Sequence, residues 1–189
     1  MEPPDECLRV PIAIRAYTED HGRKPLGTRP PESEIEASPW TLVFDCETTI
    51  DATQQFRAGF YQVRDRKKLH EEGVFYDPNT MTAEEEGALR NYAQSKGISI
   101  LTTKAFRSEI FLNYAYNRCG TVVGFNLPFD LSRIALDHGP ARRRPMRGGF
   151  SFQLTRNPAH PRVRVKHLSP RLALIDFAKP GVHAYSTRW

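Results

Sequence analysis

Two carboxylates at the end of a short apolar segment are the residues with the clearest chemical potential. Asp45 and Glu47 follow residues 41–44, an apolar run that predicts a buried strand. Because residues two apart in a strand point the same way, the acids share one face and Cys46 turns to the other. Paired carboxylates raise each other's pKa unless a cation lies between them, and such oxygen ligands suit Mg²⁺ or Mn²⁺. A strand that ends in solvated acids is the alternative interpretation.

A second strand followed by an acid occurs further along the chain. The β-branched segment at residues 121–125 leads through Asn126 to Asp130, at the start of a predicted helix. The pattern D-x-E after one strand and G-x-N-x-x-F-D after another resembles the first two motifs of the DEDD-type 3′–5′ exonucleases, which include polymerase proofreading domains. The resemblance covers about residues 40–177. It implies an α/β, ribonuclease-H-like fold: a mixed β-sheet with flanking helices and a β-hairpin insertion.

The resemblance also implies a function, the metal-dependent removal of nucleotides from a 3′ end. Asp45, Glu47 and Asp130 would be the catalytic residues and the ligands of a two-ion Mg²⁺ or Mn²⁺ site. Thr48 would contact the terminal nucleotide, and Asn126 would either steady the strand–helix turn or contact substrate. The expected substrate is a single-stranded 3′ end of DNA or RNA, and the product is a nucleoside monophosphate.

One part of the family pattern is missing. The third motif, Tyr-x-x-x-Asp or His-x-x-x-x-Asp, should follow the last strand, yet no acid follows Asp176. In the family that aspartate binds the ion that carries the attacking water, so the two-ion site is incomplete in this chain. We therefore expect a truncated or degenerate domain, or one completed by another chain or a missing C-terminal segment. It would be an enzyme only if that motif is supplied.

Charge is distributed unevenly along the chain. The net charge is +5, but residues 142–189 contain 11 Lys and Arg against one acid. A basic cluster beside a phosphodiesterase-like motif predicts contact with a polyanion, although a solvated basic surface is the alternative. The candidate substrate-binding cations are Arg142, Arg143, Arg144, Arg147, Arg162, Arg164 and Lys166.

Length and composition are those of one soluble domain. The 189 residues are enough for a substantial core, and no apolar run could span a membrane. Three cysteines without C-x-x-C spacing predict reduced thiols and no zinc, and the N-terminus does not resemble a signal peptide. We expect a cytoplasmic or nucleoid-associated protein with no membrane partner. Residues 1–39, rich in proline, predict a poorly ordered arm or an edge strand at residues 9–17, ahead of an exonuclease-like domain at 40–189.

Periodicity and turn signals predict the order of the elements. The predicted strands are residues 40–44, 56–63, 73–76, 121–125, 150–155, 163–167 and a buried final strand, 172–177. The predicted helices begin at a capping box at Thr82 and end at Gly97, and cover residues 105–119 and 130–138. The hairpin at 150–167 should have one apolar and one basic face. His138 is expected to be structural, at a helix end, and Phe129 to lie in the core.

Two other classes of function remain open. The chain could be a non-catalytic nucleic-acid-binding module that retains the fold and the basic hairpin. It could also be a purely structural domain within a larger assembly. Metal-dependent cleavage separates the nuclease from both, and salt-dependent oligonucleotide binding separates the binding module from the structural domain.

Overall fold

The computed structural model describes residues 38–169 and 172–178. Residues 1–37, with the predicted edge strand at 9–17, lie outside this range. The strands are β1 (Trp40–Thr48), β2 (Phe56–Asp65), β3 (Lys68–Tyr76), β4 (Ser99–Thr102), β5 (Thr121–Val123), β6 (Asp137–Pro140), β7 (Phe150–Gln153), β8 (Val163–Ser169) and β9 (Leu172–Phe177). The helices are α1 (Ala83–Lys96), α2 (Thr103–Ala105), which continues as a π-helix (Phe106–Asn117), and α3 (Leu127–Ile134). Among the residues described, no helix is long and apolar enough to cross a bilayer.

The first sheet is mixed and has β1 near its centre. Its order is β4-β3-β2-β1-β5; β1, β2 and β3 are antiparallel in turn, whereas β5 is parallel to β1 and β4 to β3. Helices flank this sheet, so the predicted α/β class is confirmed. The strand β4 was not predicted from the sequence, because four residues after a helix give too short a pattern.

The two faces of β1 have different environments. Leu42, Phe44 and Cys46 are buried, and they pack against the π-helix and α3. At the centre of this layer the rings of Phe75 and Phe106 stack in parallel, with centroids 3.8 Å apart. The intervening residues of β1, including Asp45, turn to the opposite face because side chains alternate along a strand.

The first predicted helix is confirmed together with its cap. The Thr82 hydroxyl accepts a hydrogen bond from the Glu85 backbone N–H, and the Glu85 carboxylate accepts one from the Thr82 N–H. Gly97 ends α1 in the left-handed conformation, with φ of 65°. An ion pair between Arg57 and Glu85 holds the start of α1 against the first sheet.

The second predicted helix is present, but most of it is a π-helix. In a π-helix the hydrogen bonds join residues five apart, so side chains on one face recur at intervals of four and five residues. Phe106, Ile110, Phe111, Tyr114 and Ala115 accordingly face the core. Asn117, predicted on the same stripe three residues after Tyr114, is exposed, because residues three apart no longer share a face in this wider helix.

The second sheet is antiparallel, in the order β6-β7-β8-β9. The predicted hairpin is confirmed as β7 and β8, with Phe152, Leu154, Val163 and Val165 buried on its apolar face. The prediction of a buried final strand was wrong. The strand β9 lies at the edge of this sheet, and Leu172, Leu174 and Ile175 are exposed there.

Two predicted boundaries were also wrong. The charged residues before Gly73 belong to β3, because a tight turn at Arg66 and Lys67 lets them pair with β2. The last helix ends at Ile134 instead of His138, since residues 137–140 pair with β7. His138 is therefore an exposed strand residue and not a residue at the end of a helix.

The close packing beneath β2 gives a stability prediction. A Cβ at Gly59 would meet the ring of Phe75 and lie 2.7 Å from the carbonyl oxygen of Asp45, whereas one at Gly87 in α1 meets nothing within 4 Å. We expect Gly59→Ala to lower the free energy of unfolding by about 2 kcal/mol or more through overpacking. The matched Gly87→Ala should raise it by about 0.5–1 kcal/mol, because alanine favours helix. Urea unfolding followed by circular dichroism measures both, and equal effects would contradict the packing described.

Candidate functional site

The predicted acidic residues lie where two parallel strands end. β1 and β5 pair in register from Thr41 with Thr121 to Val43 with Val123. Their carboxyl ends therefore meet at one edge of the sheet, the usual position of ligands in α/β sheets. β1 supplies Asp45, Glu47 and Thr48 there, and the turn after β5 leads into α3.

Asp45 and Glu47 lie on the face of β1 away from α3. Asp45 is partly buried and lines a cavity of about 420 Å³ together with Tyr92 and Lys96 of α1. Glu47, one residue from an irregularity in the β1–β2 pairing, is exposed. The alternation predicted from the sequence holds, because Cys46 between them is buried.

Asp130 is the buried acid of the site. Its side chain is 1% exposed, and its Oδ2 atom has no hydrogen-bond partner. Burial raises the pKa of the carboxyl to about 6, and the charge of Asp45 adds to the rise, while hydrogen bonding from the backbone of Cys46 and Asn126 opposes it. The first turn of a helix ordinarily favours the ionised form of a carboxyl, but burial and the neighbouring acid outweigh that effect here.

Cys46 lies between Asp45 and Glu47 in the sequence of β1, and its side chain is neutral. Its thiol lies 3.8 Å from the backbone carbonyl oxygen of Asp130. Burial raises the pKa of the thiol well above its ordinary value, and the charges of Asp130, Asp45 and Glu47 raise it further. Cys46 thus packs as a small apolar residue on the face opposite Asp45 and Glu47, and it adds no charge to this acidic edge.

The charge of one predicted acid acts on another: after burial, the charge of Asp45 is the next cause that raises the pKa of Asp130. Asp45 affects the pKa of Asp130 more than Glu47 does. Within residues 38–169 and 172–178, no three His, Cys, Asp or Glu side chains lie close enough together to hold a metal ion. The acids are therefore neighbours at one edge of the sheet without forming a closed ligand set.

Thr48 and Asn126 flank this acidic edge. Thr48 is partly buried at the end of β1. Asn126 begins α3, but its side chain makes no capping hydrogen bond; its backbone carbonyl accepts from the N–H groups of Phe129 and Asp130. The exposed Asn126 amide thus does not steady the turn, which leaves it accessible to a ligand.

Four of the predicted cations project from one compact loop. Residues 141–149 close on themselves, since the Ala141 N–H donates to Gly149 O at 2.8 Å and the buried Met146 anchors the loop. None of the four makes an ion pair within the described part of the chain. The exposed set is Arg142, Arg143, Arg144 and Arg147.

The other predicted cations are held by neighbouring groups. Arg162 pairs with Asp137 at 3.3 Å, and Arg164 pairs with Asp176 at 2.6 Å. Lys166 donates to the carbonyl oxygen of Pro145 at 3.1 Å. The basic face of the hairpin therefore has part of its charge offset, unlike the loop beside it.

Three further residues at this edge were missed by sequence reasoning. Arg133, one turn after Asp130, donates to Gln54 O at 2.8 Å and so ties α3 to the loop after β1. Ile50 in that loop and Phe125 after β5 are fully exposed. The i, i+3 spacing of Asp130 and Arg133 on one helix could have indicated Arg133. The exposure of the two apolar residues depends on packing that no local pattern reveals.

Comparison with protein-family models, with curated proteins and with solved structures gives no match for this chain.

The raised pKa of Asp130 predicts a dependence of stability on pH. Its folded pKa of about 6 lies above the ordinary 3.8, so its contribution to stability is complete below pH 3.8 and is lost as the pH rises through about 6. Asparagine cannot ionise. The free energy of unfolding of Asp130→Asn, taken relative to that of the parent chain, should therefore rise by about 2 kcal/mol between pH 4 and pH 7. Chemical unfolding in EDTA at several pH values measures the difference.

A control of opposite sign is available in the loop after β1. Hydrogen bonds from Thr53 lower the pKa of the exposed Asp51 carboxyl. Asp51→Asn should therefore lose stability relative to the parent chain as the pH rises through the acid range. The same trend for both variants would show that the Asp130 carboxyl is not desolvated.

Proposed function

We propose that this domain is a metal-dependent 3′–5′ exonuclease-like domain that hydrolyses phosphodiester bonds at the 3′ end of nucleic acid. One observation carries the proposal: at the carboxyl ends of β1 and β5, the buried Asp130 has an unpartnered oxygen atom and a pKa raised by burial and by the charge of Asp45. Acidic groups with perturbed pKa values beside a cavity are characteristic of functional sites. The sheet order around β1, antiparallel through β2 and β3 and parallel to β5, supports a ribonuclease-H-like fold.

A divalent cation fits the chemistry of these acids. An unpartnered buried carboxylate oxygen beside a second carboxylate lowers its free energy by binding a cation, and oxygen ligands suit Mg²⁺ or Mn²⁺. We propose Asp45, Glu47 and Asp130 as its ligands; among the described residues they do not form a closed set of three, so the ion would bind weakly. When bound, it would supply a water of lowered pKa and stabilise negative charge on the reacting phosphate.

The reaction is the hydrolysis of the terminal phosphodiester. Water attacks phosphorus, the bond from phosphorus to the 3′ oxygen of the preceding nucleotide breaks, and that oxygen takes up a proton. The products are a nucleoside 5′-monophosphate and a strand with a new 3′ hydroxyl. Thr48 and the exposed Asn126 amide would hold the terminal nucleotide at the acidic edge. The buried thiol of Cys46 keeps the space behind the acids apolar.

The site as described predicts weak catalysis. No three acidic, cysteine or histidine groups close around an ion in the described residues, and the family's third motif is not among them. Catalytic groups that act as a unit lose rate far out of proportion when one is removed. Full activity would require a third motif supplied by another chain or segment.

The second candidate is a non-catalytic nucleic-acid-binding module in the cytoplasm. It is favoured by the loop at residues 141–149, which presents four exposed arginines without ion-pair partners in the described residues. A loop held in shape by its own backbone places these charges with little loss of entropy on binding. This function requires the same surface but no metal.

The nuclease proposal is tested by release of 3′-terminal nucleotides from a labelled single-stranded oligonucleotide. The chain should release nucleoside monophosphate slowly with Mg²⁺ or Mn²⁺, and Asp45→Ala should lower that rate by at least about tenfold. The same oligonucleotide in EDTA gives the metal-free baseline. A metal-dependent rate that survives Asp45→Ala would overturn the assignment of the site.

Phosphate binding by the loop is tested by the dependence of affinity on salt. Replacing Arg142, Arg143 and Arg147 with Gln should weaken oligonucleotide binding and reduce the slope of log affinity against log salt by about 2, because fewer counterions are released. Arg162→Gln is the matched control, since this arginine already pairs with Asp137, and it should change the slope much less. Equal slopes for the parent chain and the triple variant would make the loop a solvated surface.

A further inference from the structure

A groove beside the acidic edge has no role in the proposed reaction. One cavity of about 590 Å³ lies between α3 and the second sheet, and another of about 530 Å³ lies over the turn after β5. Both cavities are lined by Asn126, Pro128 and His167, so they are adjacent, and together they are called the groove below. Each part is large enough for a small ligand.

Two aromatic rings that line this groove are exposed to solvent. Phe125 is fully exposed on the turn after β5, and Phe150 is 51% exposed at the start of β7. The ring of Phe150 lies nearly parallel to that of Phe152, with an interplanar angle of 13°, which leaves one ring face toward solvent. Rings this large are normally buried, so their exposure indicates a surface that meets a ligand.

Cationic and polar groups accompany the rings. Arg133 stacks over Phe129, with its guanidinium carbon 4.7 Å from the ring centre, and both residues line the groove. Phe129 is therefore only partly buried and does not belong to the core as expected. The one carboxylate on the groove wall, Asp137, is paired with Arg162. The groove thus combines flat apolar faces with the positive charge of Arg133, which makes no ion pair within the described residues.

Asn126 connects the groove to the turn that carries Asp130. Asn126 lines both of its cavities and begins α3, whose first turn contains Asp130. In the parallel pairing of β5 with β1, Val123 lies beside Val43. Phe125 is two residues beyond Val123 and Asp45 is two residues beyond Val43, so the two residues lie at the same level of the sheet. A strand lying in the groove would therefore pass Asn126 at the turn that carries Asp130, while the candidate acids themselves lie outside the lining of both cavities.

We propose that this groove binds single-stranded nucleic acid, with bases stacked on Phe125 and Phe150 and the backbone facing Arg133 and His167. The class of polymer rests on the proposed function, whereas the location and the stacking role of the two phenylalanines come from the groove itself. Stacking on aromatic side chains together with a cationic wall is the usual recognition of single strands without sequence preference. The exposed arginine loop would then contact the strand outside the groove.

The test is equilibrium binding in EDTA, where cleavage cannot interfere. Fluorescence anisotropy of fluorescein-labelled dT10 and rU10 is measured with the full chain and with Phe125→Ala and Phe150→Ala. Each variant should bind about tenfold more weakly, with an unchanged salt slope, because stacking is lost and no phosphate contact is removed. Leu69→Ala, an exposed apolar side chain on β3, is the matched control and should bind as the parent chain does.

A second measurement locates the strand directly. An oligonucleotide containing 5-iodouridine, irradiated in the complex and digested, should cross-link to peptides that contain Phe125 or Phe150. Parent-like affinity of both variants, cross-links confined to other surfaces, or no binding by the parent chain would each overturn the groove assignment.

These results are independent of the cleavage assay. Loss of affinity in the two variants without any metal-dependent release would leave the groove in place and refute the nuclease. Metal-dependent release with parent-like KM in both variants would refute the groove and leave the nuclease in place.

Discussion

The packing of one face of β1 is the constraint on which the rest of the site depends. Phe44 packs against Phe106 and Phe111 of the π-helix, and Leu42 and Cys46 are buried on the same face. This burial fixes the strand's orientation about its own axis. A shift of one residue would turn these apolar groups to the opposite side and bring Asp45 into the core. Hydrophobic packing on one face of β1 therefore determines that Asp45 and Glu47 lie on the other face.

The same packing gives Asp130 its electrostatic character. Because α3 presses Leu131 and Ile134 into the core, the neighbouring Asp130 is buried with them. A buried carboxyl with an unpartnered oxygen and a raised pKa is costly to stability in its ionised form. Such a cost is typical of residues retained for binding or catalysis, where the local environment is tuned to the function at the expense of stability.

The basic residues of the second sheet fall into two groups, those held in ion pairs and those in the loop between β6 and β7. Pairing of β8 with β9 places Asp176 opposite Arg164, and pairing of β6 with β7 brings Asp137 near Arg162. These arginines stabilise strand pairing at the surface, where each ion pair contributes about 0.2–1 kcal/mol. The loop between β6 and β7 has no acids, so its arginines remain available to a polyanion.

Local pattern by itself determined much of this molecule. The alternation of β1, the capping box at Thr82 and the apolar face of the β7–β8 hairpin were all predictable, because each depends on residues close in sequence. Tertiary structure alone decided the burial of Asp130, the pairing of Arg162 and Arg164, and the exposure of β9 and Phe125. The reason is that desolvation and ion pairing depend on which elements pack together, and residues far apart in sequence supply those neighbours.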